Sequence, residues 1–217
     1  MVSKNTMKKS IDTIVVFGDS TTCGFVDISG KGGWAGRLKR WFEMRDPKGN
    51  HLYNLAVDGA TSRDVLREME FELRSRRLGL IIISIGVNDS LRHPRGTSPN
   101  MVPLREFALN LRKIFKISKR FSQKVVFVSS EPPDEQKTLP VRWGKYYYSL
   151  EDEKKYYEKM REITKREGIP MVDIFAGWLA SGERYKKLLY DGLHPNSRGH
   201  EEIFKSVLKF LKQKKLV

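Results

Sequence analysis

One stretch decides the predicted fold: Ile14-Val15-Val16-Phe17-Gly18-Asp19-Ser20-Thr21-Thr22. Its four apolar, mostly β-branched residues are typical of a buried strand, and Gly-Asp-Ser ends that strand in a turn. Ligands of open α/β sheets bind outside the carboxyl ends of the strands, which is where Ser20 would lie. Its hydroxyl is therefore a candidate nucleophile, phosphate contact or helix N-cap, and serine is a favoured cap at such turns.

The length and composition of the chain set its broad class. It has 217 residues, which fits one α/β domain, and a chain of this size buries about 70% of its unfolded surface. Its single cysteine, Cys23, excludes an intrachain disulfide. The first residues lack the apolar segment of a signal peptide, and no apolar run approaches a membrane span. We therefore expect a soluble, cytoplasmic protein in which residues 1–10 form a short basic extension.

The charge of the chain is strongly basic, with 41 Lys and Arg against 26 Asp and Glu, a net charge of +15. Such a balance can favour nucleic acid or anionic surfaces. The basic residues are spread over the helical stretches 63–77, 112–120 and 205–215, and no nucleic-acid motif is present. This spread indicates solvated helix faces and no specific nucleic-acid partner. A binding module that uses its basic surface is the non-enzymatic alternative.

Strand and helix patterns alternate along the whole chain. Strands are predicted at 13–17, 52–56, 80–85, 124–129 and 170–174, with helices at 34–44, from 62, at 104–118, from 149 to about 168, and after 196. Residues 175–190 carry a weaker pattern, with a helical turn or two. Five strands that alternate with helices predict a parallel sheet covered on both faces, a three-layer α/β/α sandwich, within a single domain over residues 1–217.

Polar residues collect at the predicted carboxyl ends of these strands. Ser20 follows the first strand, Gly59 the second and Asn88 the third, while Asp191 and His194 lie in the turn before the last helix. Because the carboxyl ends of parallel strands lie along one edge of the sheet, we expect these five residues to converge. Together they supply a nucleophile, a base, an orienting carboxylate and oxyanion donors.

The residue types fit acyl transfer through serine. Serine is a weak nucleophile until a base takes its proton, and His194 is suited to that task. Asp191 lies three residues earlier, close enough for its carboxylate to reach Nδ1–H of His194. The backbone N–H of Ser20, the backbone N–H of Gly59 and the side-chain amide of Asn88 are the expected oxyanion donors. This chemistry requires no metal and no cofactor.

Each of these positions also has a structural alternative. Asp191-Gly192 could form only a turn, Asn88-Asp89 only a cap, and His194 could be a hydrogen-bonded structural histidine. The joint occurrence of suitable groups at four turns favours catalysis. Asp19 and Asp89 are expected to hold their loops through backbone amides rather than to take part in the chemistry.

Two phosphate-related alternatives fail on spacing. An aspartyl phosphatase needs a second aspartate two positions from Asp19, where Phe17 and Thr21 stand. The glycines at 30–33 lack the spacing of a phosphate-binding loop.

Four ordered motifs carry a resemblance to a known family. They are Gly18-Asp19-Ser20-Thr21, Asn54-Leu55-Ala56-Val57-Asp58-Gly59-Ala60-Thr61, Gly86-Val87-Asn88-Asp89 and Asp191-Gly192-Leu193-His194-Pro195-Asn196. The chain resembles the SGNH hydrolases, or GDSL-type esterases and lipases. The resemblance implies a flavodoxin-like fold with strand order 2-1-3-4-5 and hydrolysis through an acyl-serine intermediate. It also implies Ser20 as nucleophile, Asp191 and His194 as the rest of the triad, and Gly59 and Asn88 as oxyanion donors.

The residue after the serine and two long loops bear on the substrate class. Thr21 departs from the Leu or Ile that often follows the serine in this family. The loops 91–103 and 131–148 are expected to wall the pocket, and no large apolar lid is evident. We therefore expect a small-molecule ester with a short acyl group on an alcohol, a sugar or a lysophospholipid. A thioesterase or lysophospholipase of the same family is the alternative.

Overall fold

The computed structural model describes residues 11–76 and 78–217. The predicted basic extension over residues 1–10 lies outside the described residues. In the part of the chain that is described, no helix combines the length and the apolar character needed to cross a membrane. The assignment of residues 1–217 to one domain, and of the protein to the cytoplasm, stay predictions.

The centre of the fold is a five-stranded parallel sheet. Its strands are β1 (Thr13–Gly18), β2 (His51–Asn54), β3 (Leu80–Ser84), β4 (Val125–Val128) and β5 (Met171–Val172). Their order in the sheet is β2-β1-β3-β4-β5. Every residue of β1, β3 and β4 is buried. Continuous apolar strands of this kind need cover on both faces, which parallel sheets obtain from their crossover helices. The predicted three-layer fold and strand order are confirmed.

The helices divide between the two faces of this sheet. They are α1 (Ser20–Cys23), α2 (Gly33–Glu43), α3 (Ser62–Arg74), α4 (Val87–Ser90), α5 (Leu104–Phe121), α6 (Glu135–Thr138), α7 (Leu150–Glu167), α8 (Ile174–Leu179) and α9 (Ser197–Gln213), with a 3₁₀ helix at Gly182–Leu188. Side chains of α2 and α9 pack in one core cluster with Ile14 and Val16 of β1. Side chains of α3, α5 and α7 pack in a second cluster with Val15 and Phe17. The alternation of side chains along β1 therefore supplies both cores.

Local signals account for most helix boundaries. A capping box is present at α3, where the carboxylate of Asp64 accepts a hydrogen bond from Thr61 N at 2.9 Å. Ser149 Oγ caps α7 by accepting from Asp152 N at 3.1 Å, and Gly168 ends α7 in the left-handed conformation. The strands are shorter than predicted by one to three residues, except β1, which extends to Gly18. Residues 175–190, where the sequence pattern is weak, contain most of α8 and the 3₁₀ helix.

Candidate active site

Ser20 lies at the carboxyl end of β1 as the first residue of α1. The N-cap of α1 is Asp19, whose Oδ1 accepts a hydrogen bond from Thr21 N at 3.1 Å. The interpretation of Ser20 as the cap is therefore wrong, because its neighbour already fills that role. The hydroxyl of Ser20 is instead paired with an imidazole, since Ser20 Oγ lies 3.0 Å from Nε2 of His194.

Asp191 holds the imidazole of His194 from the other side. Its Oδ2 lies 2.8 Å from His194 Nδ1, and its Oδ1 accepts from the backbone N–H groups of Leu193 and His194 at 2.9 and 2.8 Å. Burial alone would raise the pKa of this carboxyl. The hydrogen bonds and charge of His194 outweigh burial and hold the pKa of Asp191 below its usual value. Asp191 is thus suited to remain a carboxylate facing the ring.

The loop that carries Asp191 and His194 is fixed at both ends. Gly192 has φ +96°, and its carbonyl oxygen accepts a hydrogen bond from Asp134 N at 2.7 Å. A Cβ at this glycine would lie 2.5 Å from Cβ of Lys137, so the close approach of the two loops requires glycine. After His194, the side chain of Asn196 caps α9 by accepting from two backbone N–H groups at 3.0 Å.

Gly59 and Asn88, the predicted oxyanion donors beside Ser20, lie at the same edge of the sheet as the serine. Asn88, in α4, donates from Nδ2 to the carbonyl of Ala60 at 3.0 Å, and its Oδ1 accepts from the hydroxyl of Tyr148 at 3.1 Å. These bonds orient the amide and leave the second N–H of Nδ2 without a partner within the described chain. The bond to Ala60 also places Asn88 beside Gly59, whose φ of +74° favours glycine and whose N–H has no acceptor among the described residues.

Aromatic rings flank the imidazole of His194. The ring of Phe25 meets it edge-on with centroids 4.7 Å apart, and the indole of Trp143 lies at 5.7 Å. Trp143 belongs to the loop 131–148 that is expected to wall the pocket. His93, in the other loop, is exposed and stacks on Tyr146 with ring centroids 4.7 Å apart.

Comparisons with known proteins bear on the family. A model of the GDSL-like lipase/acylhydrolase family matches residues 16–202. The chain belongs to this family. The match includes all five predicted site residues and confirms the resemblance seen in the sequence motifs, and it supports the prediction of a carboxylic ester hydrolase.

Individual GDSL-like proteins are similar over different lengths. A GDSL esterase/lipase of Arabidopsis thaliana is 29% identical over 61% of this chain, and the alignment spans 44% of that plant protein. The isoamyl acetate-hydrolyzing esterase of Saccharomyces cerevisiae is 25% identical over 71% of this chain and 68% of its own length. The crystal structure of the lipase/acylhydrolase from Enterococcus faecalis matches with a TM-score of 0.75 and 20% identity over 93% and 96% of the two chains. That structural match shows the fold.

Close to Ser20 of this GDSL-like protein lies a group of four buried carboxyls, which we call the carboxyl cluster: Asp19, Asp89, Glu131 and Glu153. Each is at most 4% exposed. Asp89 accepts from Ser62 N at 2.9 Å, Glu131 from the Thr21 hydroxyl at 2.7 Å, and Glu153 from the Ser90 hydroxyl at 2.6 Å. None of the four is ion-paired with a Lys or Arg in the described part of the chain. Asp19 accepts a hydrogen bond from Thr21 N and Asp89 accepts one from Ser62 N, which agrees with the predicted role of both residues in holding their loops.

The four carboxyls of the cluster have raised pKa values. Burial raises the pKa of Asp19 and of Glu131 to about 7, with a further rise at Asp19 from the charge of Glu131. Burial likewise raises the pKa of Asp89 to about 7, against the hydrogen bonds from Ser62. At Glu153, burial and then the neighbouring carboxyls raise the pKa well above the usual value. Four adjacent buried carboxyls without cations cannot all ionise at neutral pH.

Sequence reasoning missed several residues around this site. Glu131 lies in the loop that follows β4, so the strand-end rule that selected Ser20 and Asn88 could also have selected it. Tyr148 and Glu153 reach the site from the loop before α7 and from α7 itself, and no local pattern signals that approach. No group of His, Cys, Asp and Glu within residues 11–76 and 78–217 is arranged to hold a metal ion.

Proposed function

We propose that the protein is a serine esterase that hydrolyses carboxylic esters with short acyl chains through an acyl-serine intermediate. One observation carries the proposal: Ser20 Oγ, the imidazole of His194 and the carboxylate of Asp191 form a continuous relay with separations of 3.0 and 2.8 Å. Nucleophile, base and orienting carboxylate within hydrogen-bond reach are the arrangement by which a neutral serine becomes reactive.

Acylation follows from this arrangement. Nε2 of His194 takes the proton of Ser20 as Oγ attacks the carbonyl carbon of the ester. Asp191 accepts the hydrogen bond from Nδ1–H, which fixes the tautomer and stabilises the imidazolium. The C–O bond to the alcohol then breaks, and the same proton passes from Nε2 to the departing oxygen. In the second half of the reaction, the imidazole takes a proton from water as the water oxygen attacks the acyl carbon. The bond to Ser20 Oγ then breaks, the proton returns to Oγ, and the acid is released.

Three donors would stabilise the oxyanion of both tetrahedral intermediates. The N–H of Ser20 is at the first position of α1, where a helix provides no backbone acceptor for it. The N–H of Gly59 and the second N–H of the Asn88 amide have no other partner among the described residues. Donors that are already oriented need little reorganisation as charge develops, which is why such groups contribute strongly to the rate.

The packing beside Asn88 supports a small acyl group. Buried apolar side chains from four segments form one cluster next to the amide: Val87, Leu91, Val141, Tyr148 and Leu193. We expect this close-packed cluster to limit the space beside the amide for a long acyl chain. The yeast relative acts on isoamyl acetate, an ester of a two-carbon acid, which agrees with this preference.

Hydrolysis of p-nitrophenyl esters tests the proposal. We expect the highest kcat/KM with acetate, a lower value with butyrate and little turnover with octanoate. Ser20→Ala should abolish all three activities, whereas Ser206→Ala, which removes an exposed serine of α9, should leave them unchanged. No turnover of any ester by the wild-type protein, or equal turnover by Ser20→Ala, would refute the proposal. A preference for octanoate would refute only the acyl-length part.

A further inference from the structure

A cavity of about 630 Å³ opens beside the candidate triad residue Asp191. Its walls include three aromatic residues, Phe25, Trp143 and Tyr190, and two cationic residues, Lys137 and Arg142. The volume is in the range of small-molecule sites in proteins. Lys137 and Arg142 take no part in the proposed chemistry of Ser20, His194 and Asp191. Their presence in the cavity wall therefore indicates a different role.

The aromatic wall is partly uncovered. Phe25, Trp143 and Tyr190 are 46%, 50% and 57% exposed, although large apolar side chains are usually buried. Phe25 and Trp143 contact the imidazole of His194 on one side and line the cavity on the other. A flat or ring-shaped ligand in this space would cover aromatic surface and also lie next to the catalytic base.

The charged wall is positive and poorly compensated. Arg142 has no ion pair or hydrogen bond among the described residues, and the ammonium of Lys137 lies 3.7 Å from Asp134, a long separation for an ion pair. The one carboxylate that lines the cavity, Asp191, is engaged by His194 and by two backbone N–H groups. A negatively charged group in the cavity would therefore find two cations.

The direction of the proposed reaction identifies the occupant. His194 returns its proton to the oxygen of the departing alcohol, so that alcohol must lie against Nε2 while the carbonyl oxygen faces Gly59 and Asn88. Phe25 and Trp143, whose rings contact the imidazole, also line the cavity. We propose that this cavity is the leaving-group subsite, and that it selects a ring-bearing alcohol with a negative charge, held by Lys137 and Arg142. This inference rests on the proposed esterase function.

A matched pair of substrates separates charge from reactivity. One is 4-acetoxybenzoate, whose leaving group carries a carboxylate, and the other is its neutral methyl ester. The readout is the ratio of kcat/KM for the anionic ester to that for the neutral ester. Comparison of this ratio between variants cancels the difference in intrinsic reactivity of the two esters.

Arg142→Gln and Lys137→Gln should each lower this ratio about two- to fivefold, which is the range for one exposed charge contact. The effect should shrink at high salt, because solvent-exposed charges are screened. Lys209→Gln removes the same charge from an exposed position in the C-terminal part of α9 and should leave the ratio unchanged. This control excludes a general effect of the net charge of +15.

A neutral aliphatic ester tests the aromatic wall separately. Tyr190→Ser should raise KM for both aryl esters relative to ethyl acetate, because Tyr190 lines the cavity and makes no ring contact with His194. An unchanged ratio in both cation variants, or an equal fall in Lys209→Gln, would overturn the anionic subsite. Failure of the wild-type protein to hydrolyse either ester would instead count against the proposed function itself.

Discussion

The hydroxyl of Thr21 donates a hydrogen bond of 2.7 Å to the buried carboxyl of Glu131, which lies 110 residues away. Thr21 stands where Leu or Ile is common in the family. Its polar side chain therefore has a buried polar partner, the carboxyl of Glu131. The bond connects the turn that carries Ser20 to the segment after β4. It also places Glu131 in the carboxyl cluster, where burial raises its pKa to about 7.

Glu131→Gln should flatten the dependence of stability on pH. A folded-state pKa above the unfolded value means that the folded state binds the proton more tightly. Glu131 therefore stabilises the fold below its unfolded pKa, and that stability is lost as pH rises through about 7. Glutamine keeps an acceptor for Thr21 and removes the titration. Chemical denaturation at about pH 5 and pH 8 should show the wild-type protein losing more stability than the variant, on the order of 1–3 kcal/mol.

Two comparisons make this stability test specific. His200 contributes with the opposite sign, since burial lowers its pKa to about 4 and its contribution is lost as pH falls. It is common to both proteins, so it cancels in their difference. Glu158→Gln, at an exposed position of α7, should keep the wild-type pH dependence. Identical pH dependence of the wild-type and Glu131→Gln proteins would contradict the assignment.

Asn88→Ala should lower kcat by about 10²–10³-fold with a smaller change in KM, because the lost N–H would act mainly on the transition state. Tyr148→Phe provides the graded comparison. This change keeps the amide of Asn88 and removes only the hydroxyl that donates a hydrogen bond to Asn88 Oδ1. We therefore expect a much smaller loss of kcat. A change in KM alone for Asn88→Ala would reassign the amide to substrate binding.

Asp191→Asn should reduce kcat by about 10⁴-fold, the effect of this change in other Ser-His-Asp triads. An amide N–H facing Nδ1 would favour the imidazole tautomer whose Nε2 carries the proton, and that tautomer cannot accept the proton of Ser20. Steady-state kinetics with p-nitrophenyl acetate measure the loss. Asp46→Asn, in the exposed loop after α2, is the control and should retain full activity. Retention of more than about a tenth of the wild-type kcat in Asp191→Asn would exclude its orienting role.

Arg37→Met should destabilise the fold by about 3–5 kcal/mol, because it leaves a buried carboxylate without its cation. Arg37 donates to Asp27 at 2.5 Å and to Glu201 of α9 at 3.0 Å, and both Arg37 and Asp27 are buried. Arg198→Met removes an exposed arginine 3.7 Å from Glu202 and should cost at most about 1 kcal/mol. Equal unfolding free energies for the two variants would argue against a structural role for the Arg37 pair.

The sequence was sufficient to predict the sheet and the five residues at its edge because both depend on local patterns. Apolar strands, caps and the strand-end rule act over a few residues, and Asp191 and His194 are close in the chain. Tyr148 and Trp143 are not predictable from local patterns, because their positions depend on the path of the segment 129–149. That path is set by long-range contacts such as the bond from Asp134 N to Gly192 O, which no periodicity records.

The proposed mechanism requires that Ser20, activated by His194, becomes acylated. Labelling with a fluorophosphonate, followed by peptide mass spectrometry, tests it most directly because the adduct on an activated serine is stable. We predict a single adduct on Ser20 in the wild-type protein, and labelling slowed by at least about 10³-fold in His194→Ala. An adduct on another residue, or labelling of Ser20 at the same rate without His194, would show that His194 does not activate Ser20 as the nucleophile.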